Sequence, residues 1–239
     1  LNEAAVQLMS SKVIGIPKDY VKYFGISFET TSPSYYPLEC CLVNQLAFIT
    51  GEDVLFKSTL NSDDNFKIKF SQLTSPKAFM SIQNAIDDIL FAEEDIIKLN
   101  NKIALVEDRN KKVDDMVKKI DDLKEKIKLT FLRTQNLIIS SYFDKAFINI
   151  TNLEELENYR KKLYDIKSYL GFSEGYTFFN DYYVEKMSQL EHKYNILENG
   201  GIETAINIQT KTESKFITLF KTIKKFLLGK SSESQKNDI

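Results

Sequence analysis

The sequence predicts a mainly α-helical protein, built as a long antiparallel helical hairpin or coiled coil with a small α+β cap at its N-terminal end that holds one β-hairpin. Three observations lead there. Through the middle of the chain Leu99, Ile103, Val106, Asn110, Val113, Val117, Ile120, Lys124, Ile127 and Phe131 step alternately by fours and threes, apolar except at Asn110 and Lys124. Eight glycines among 239 residues suit a chain with few tight turns. Near the N-terminus a polar run, Asn61-Ser62-Asp63-Asp64-Asn65, separates two stretches that alternate apolar with polar, which is the pattern of a hairpin. The expected organisation is a cap over residues 1–74, an elongated helical bundle over 75–230 and a disordered tail over 231–239.

Within the cap, Leu1 to Ser11 reads as a short helix and Asp19 to Tyr23 as a turn or strand. Pro33 and Pro37 punctuate a loop. Leu38 to Ile49 is nearly continuous in apolar residues, broken at Glu39, Asn44 and Gln45. Its length and its start behind Pro37 predict a buried helix, closed by Gly51. Val54, Phe56, Ser58 and Leu60, then Phe66, Ile68 and Phe70, supply the two alternating arms of the expected hairpin at 53–72.

Ser75-Pro76 is a helix start, a capping serine followed by proline at the first helical position. Phe79, Ile82, Ile86, Ile89 and Leu90 give the wide apolar face of a helix in a bundle, and from Leu99 the stripe narrows to coiled-coil width. With no glycine or proline between 77 and 148, the reading is one continuous helix, roughly 105 Å for seventy residues; a bend at Arg109-Asn110-Lys111-Lys112 is the alternative. Flanking pairs such as Asp114 with Lys118, Asp115 with Lys119 and Asp122 with Lys126 mark a solvent-exposed helix, each adding about 0.3–0.5 kcal/mol. Asn110 and Lys124 read as polar seam residues that fix register and partner. The seam from Leu99 to Ile127 is therefore the candidate interface.

Three further helices are expected to fold back. Asn152 with Glu155 forms a capping box ahead of Leu153, Leu156, Tyr159, Leu163, Ile166 and Leu170. Asn149-Ile150-Thr151 is a formal glycosylation sequon, but its position between two helices is explained equally well by turn chemistry, the preferred reading. A second start at Ser173 precedes the stripe from Tyr176 to Leu197. The aromatic run Tyr164, Tyr169, Phe172, Tyr176, Phe178, Phe179, Tyr182 and Tyr183 is read as the core at one end of a bundle, or as an interface, where tyrosine supplies contact area at low entropic cost. The last helix, 202–228, puts Phe216, Leu219, Phe220 and Ile223 on one face with Leu227. Lys224 and Lys225 lie toward the opposite face, beside Lys215 and Lys221. It is expected to dock on the bundle, with an anionic membrane or a partner's groove as the alternative.

Composition narrows function. Thirty-two basic residues against 34 acidic ones disfavour a nucleic-acid partner. Adjacent Cys40 and Cys41 make neither a disulfide framework nor a zinc site and read as small buried residues. Asp87, Asp88, Glu93, Glu94 and Asp95 read as a solvated acidic face. A metal-binding bundle would want a Glu-x-x-His pair, and the single histidine, His192, follows Gln189 instead. No Gly-rich phosphate loop, nucleophile elbow or histidine cluster occurs, so neither catalysis nor a cofactor is expected. The absence of a signal-peptide pattern favours the cytoplasm, while a leader trimmed ahead of Leu1 would leave a secreted or membrane-peripheral location open. The expected function is a non-enzymatic assembly protein that pairs with another protein, or with itself, through the long seam. The alternative is a membrane-active helical protein, such as a subunit of a helical pore-forming toxin, although Arg133, Asp144 and Lys145 interrupt its best apolar segment, 129–150.

Overall fold

The computed structural model describes residues 1–106 and 111–198. Among these residues the chain forms eight α-helices, a 3-10 turn and a three-stranded antiparallel sheet. It divides into two units, residues 1–188 and residues 189–239; of the second, the described part is 189–198, the end of the last described helix. Asn110, the C-terminal candidates Phe216, Leu219, Phe220, Ile223, Lys224 and Lys225, and the tail at 231–239 lie outside the described residues.

The first unit is built around α2 (Pro37–Thr50). Twelve of its fourteen residues are buried. It packs against α1 (Asn2–Ile14), α3 (Glu52–Asn61), α4 (Asn65–Leu73), α5 (Pro76–Ala104) and α6 (Lys111–Ile148). The strand β2 (Ile26–Thr30) and the 3-10 turn Ile166–Tyr169 cover it as well. A helix enclosed on so many sides reads as continuously apolar, which is why 38–49 was legible. Two lysines tie neighbouring elements to helix C-terminal ends, where carbonyls lack intrahelical partners. Lys162 Nζ of α7 (Leu153–Asp165) donates to Ile49 O at 3.0 Å, and Lys145 Nζ of α6 donates to Gln72 O at 2.8 Å and Thr74 O at 2.9 Å.

The cap does hold one β-hairpin, but not at 53–72. It pairs β1 (Asp19–Tyr23) with β2 through a two-residue turn at Phe24-Gly25. Both turn residues have positive φ, 49° and 77°. That is the primed geometry whose twist matches a hairpin, and phenylalanine in place of asparagine concealed it. Residues 53–72 are instead α3 and α4. Their buried members, Leu55 and Ser58, then Phe66 and Phe70, follow helical spacing, while Leu60 and Ile68, which carried the alternation, are exposed. The polar run turns the corner between them: Ser62 sits at φ 53°, and Asp63 Oδ1 accepts from the Asn65 N–H at 3.0 Å.

The expected antiparallel helical hairpin is present, and both arms come from the segment read as one helix. α5 ends at Ala104 and α6 begins at Lys111. Ser75 caps α5 as expected, its Oγ accepting from Ala78 N at 3.1 Å. Folding the segment in two lets its own apolar stripe face itself. One unbroken rod would leave that stripe in water, whereas packing α5 on α6 buries it.

The C-terminal elements also shift from expectation. Asn152 Oδ1 accepts from Glu155 N at 2.9 Å, and Glu155 Oε2 returns to the N–H of Thr151 at 2.7 Å, so the turn chemistry read at 149–151 is realised. Ser173 does not start a helix. With Phe172 it forms β3, antiparallel to β2, and α8 spans Phe178–Glu198.

Candidate functional site

The seam residues were offered as an interface with another chain. The structure buries Leu99 on α5 and Val113, Ile120 and Ile127 on α6, and half-buries Ile103 and Val106. α5 and α6 pack on one another more extensively than on any other element. The stripe is thus filled within the chain. Val117 lies at its exposed margin, and Lys124 reaches outward to Asp121, Nζ to Oδ1 at 3.2 Å, as a half-exposed edge residue rather than a seam plug.

The aromatic run between 164 and 183 is brought together differently. Of its eight members only Tyr182 is buried, so the reading as a core is corrected. Tyr164 and Phe172 are 63% and 58% exposed, and Val184, which follows Tyr183, is 67% exposed. Tyr169, Tyr176, Phe178, Phe179 and Tyr183 are half-buried. The rings form pairs, Phe178 on Tyr182 at 5.5 Å and Phe179 on Tyr183 at 6.0 Å between centroids. Tyr176 is anchored by its hydroxyl, which donates to Leu132 O at 3.2 Å, and burial pushes its pKa up to about 12. The strand β3 explains the exposure of Phe172. It holds 172–173 at the edge of the sheet, with Ser173 inward and Phe172 outward, as alternation requires.

Beneath this surface lies a buried cation. Lys186 of α8 is 4% exposed, its Nζ 2.7 Å from Asp144 Oδ1 of α6. Tyr182 donates to the same oxygen at 2.8 Å, and the ammonium stands 5.3 Å from both the Phe147 and Tyr182 ring centroids. Burial, then the Asp144 charge, raises the Tyr182 pKa well above its ordinary value, so the hydroxyl stays a donor. Asp144, which argued against membrane insertion in the sequence, has a structural partner here.

A second cluster was missed by sequence reasoning. Glu39 of α2 is 2% exposed, and Glu93 of α5 is half-buried and not on a solvated face. Glu39, the one charged residue of a largely apolar helix, was the available signal. Burial, then the Glu39 charge, raises the Glu93 pKa to about 8. Cys40 and Cys41, next along α2, are buried free thiols pushed up to about 12 by burial, which makes them unreactive near neutrality.

Other features are less pointed. A cavity of about 390 Å³ where α1, α3, α4 and α5 meet is lined by Val6, Leu55, Phe66 and Phe79 together with Ser58 and Asp63. Among the described residues no group of three or more His, Cys, Asp or Glu is placed to hold a metal ion, and no helix is long and apolar enough to cross a membrane. Comparison with protein-family models, with curated proteins and with solved structures finds no match for this chain.

Proposed function

We propose that this chain is a non-enzymatic interaction protein that binds another protein through the aromatic surface between Tyr164 and Val184. The observation that carries the reading is the partial exposure of seven aromatic side chains and Val184 there, against one buried ring. Aromatic side chains, tyrosine above all, are enriched where proteins meet, because they bring large contact area at small entropic cost. The α5–α6 seam, already filled by its own two arms, serves as the rigid support and not as the contact. The fixed backbone under the aromatic surface, held by β3 pairing and the Lys186–Asp144 ion pair, keeps the rings preorganised.

The direct test takes a second copy of the chain as partner. Light scattering on the full chain over a wide concentration range should give a mass that rises with concentration. The triple variant Tyr164→Ser, Phe172→Ser, Val184→Ser should remain monomeric with nearly unchanged thermal stability. A wild type that stays monomeric throughout, with surface cross-linking unaffected by the triple change, would remove the reading. Recruitment of the wild type to anionic vesicles, lost in the triple variant, would move it to a membrane role.

A further inference from the structure

Glu39 occupies the third position of α2, and neither of its carboxyl oxygens has a hydrogen-bond partner despite full burial. Opposite, Oε1 of Glu93 is also buried without a partner. The two carboxyls bear on one another, and the Tyr23 hydroxyl at the end of β1 lies against Glu93. Two ionised carboxylates do not persist side by side out of water, because each loses solvation and repels the other. A single proton held between them removes one charge and converts the repulsion into a hydrogen bond. We propose that Glu39 and Glu93 share one proton, and that this proton is a pH-sensitive clasp joining α2 to α5 beside β1.

The surrounding charges fit that assignment. From β1 the pair is faced by Tyr23. At the start of α2 stands Tyr36, whose pKa is raised first by the charge of Glu3 on α1, then by burial and more weakly by Glu39 and Glu94. Burial raises Glu39 most; the α2 backbone, Glu93 and the amino group of Leu1 act in the opposite direction. Tyr23 is pushed up to about 12 by burial, then by Glu93 and Glu39, so it stays protonated across the range in which the pair titrates. A hard divalent cation takes about six or more oxygens, and two carboxyls with one phenol supply fewer. A proton needs nothing more than the two oxygens that lack partners.

The sign follows from the raised value. The unfolded chain releases this proton near 4.5 and the folded chain near 8. The clasp's contribution is fully present below the first value, declines as pH climbs between the two and is gone above the second. Alkaline conditions therefore leave a buried dianion at the junction of α2, α5 and β1, and loosen it.

The experiment uses the full chain. In a carbon-13 titration of the wild type, one glutamate carboxyl should titrate near pH 8. Thermal melting between about pH 5 and about pH 9 should fall with rising pH in the wild type and fall less in Glu93→Gln and in Glu39→Gln, whose amides keep the shape and supply a permanent donor. Titration of every glutamate carboxyl in the ordinary range overturns the proposal, and so do melting profiles of equal slope. Should either variant fail to fold, the wild-type titration decides by itself. Calcium or magnesium that stabilises the wild type at alkaline pH but not Glu93→Gln would replace the shared proton with a cation.

Discussion

Gln45 and Gln135 meet end to end in the buried centre of the first unit, the Gln45 amide nitrogen donating to the Gln135 oxygen at 3.0 Å between α2 and α6. Each also holds the chain that passes over them. Gln45 donates to Tyr169 O at 3.1 Å; Gln135 donates to Gly171 O at 3.0 Å and accepts from Gly171 N at 3.2 Å. The pair thus fixes where the 3-10 turn ends and where β3 begins, and so sets the aromatic surface on its support.

Replacing Gln135 with Leu leaves both backbone groups of Gly171 buried and unpaired. The expected cost is roughly 2–4 kcal/mol of stability, read from chemical denaturation, because buried polar groups without partners lose solvation with no return. Changing Gln45 to Leu in the same chain should cost less than the sum of the two single changes, since the pair acts as a unit.

Gly171 is restricted by space. A Cβ there would stand 3.1 Å from Phe28 Cβ and 3.2 Å from the Phe131 ring. Gly171→Ala should destabilise by about 1–3 kcal/mol through overpacking. Adding Phe131→Leu should recover part of that loss; an alanine variant as stable as wild type would show that the two rings can yield.

Asp144 and Lys186 should respond unequally. Asp144→Ala removes the carboxylate 2.7 Å from a buried ammonium, and the expected loss is roughly 2–5 kcal/mol, reduced to the extent that water reaches the partly exposed carboxylate site. Lys186→Met keeps the apolar stem against Phe147 and leaves Asp144 its hydrogen bond from Tyr182, so it should cost less. Equal losses would mean that the ion pair is not what holds α8 to α6.

The α5–α6 seam can be phased by three substitutions. Ile120→Ala, at a buried position, should cost about 2–5 kcal/mol, whereas Val117→Ala at the exposed margin should cost well under about 1 kcal/mol. Lys124→Leu should leave the oligomeric state unchanged by light scattering, because its ammonium pairs with Asp121 outside the seam. A change of state on that substitution would restore the register-setting role read from the sequence.

Sequence by itself determined the helical class, the buried helix behind Pro37, the caps at Ser75 and Asn152, and the buried stripe positions Leu99, Val113, Ile120 and Ile127. These are local or periodic properties: a capping side chain acts within three residues, and an apolar stripe is visible wherever burial follows the helical repeat. Tertiary structure alone decided what the seam faces. The stripe from Leu99 to Ile127 suits a second chain as well as the folded-back arm, and with neither glycine nor proline between 77 and 148 the bend at Arg109-Asn110-Lys111-Lys112 is only the alternative reading. The same holds at 53–72, where two short apolar runs fit either period until α2 supplies the surface against which Leu55 and Phe70 are buried. It holds most sharply for Glu39 and Glu93. They lie 54 positions apart, and their chemistry arises only because packing removes water from between them.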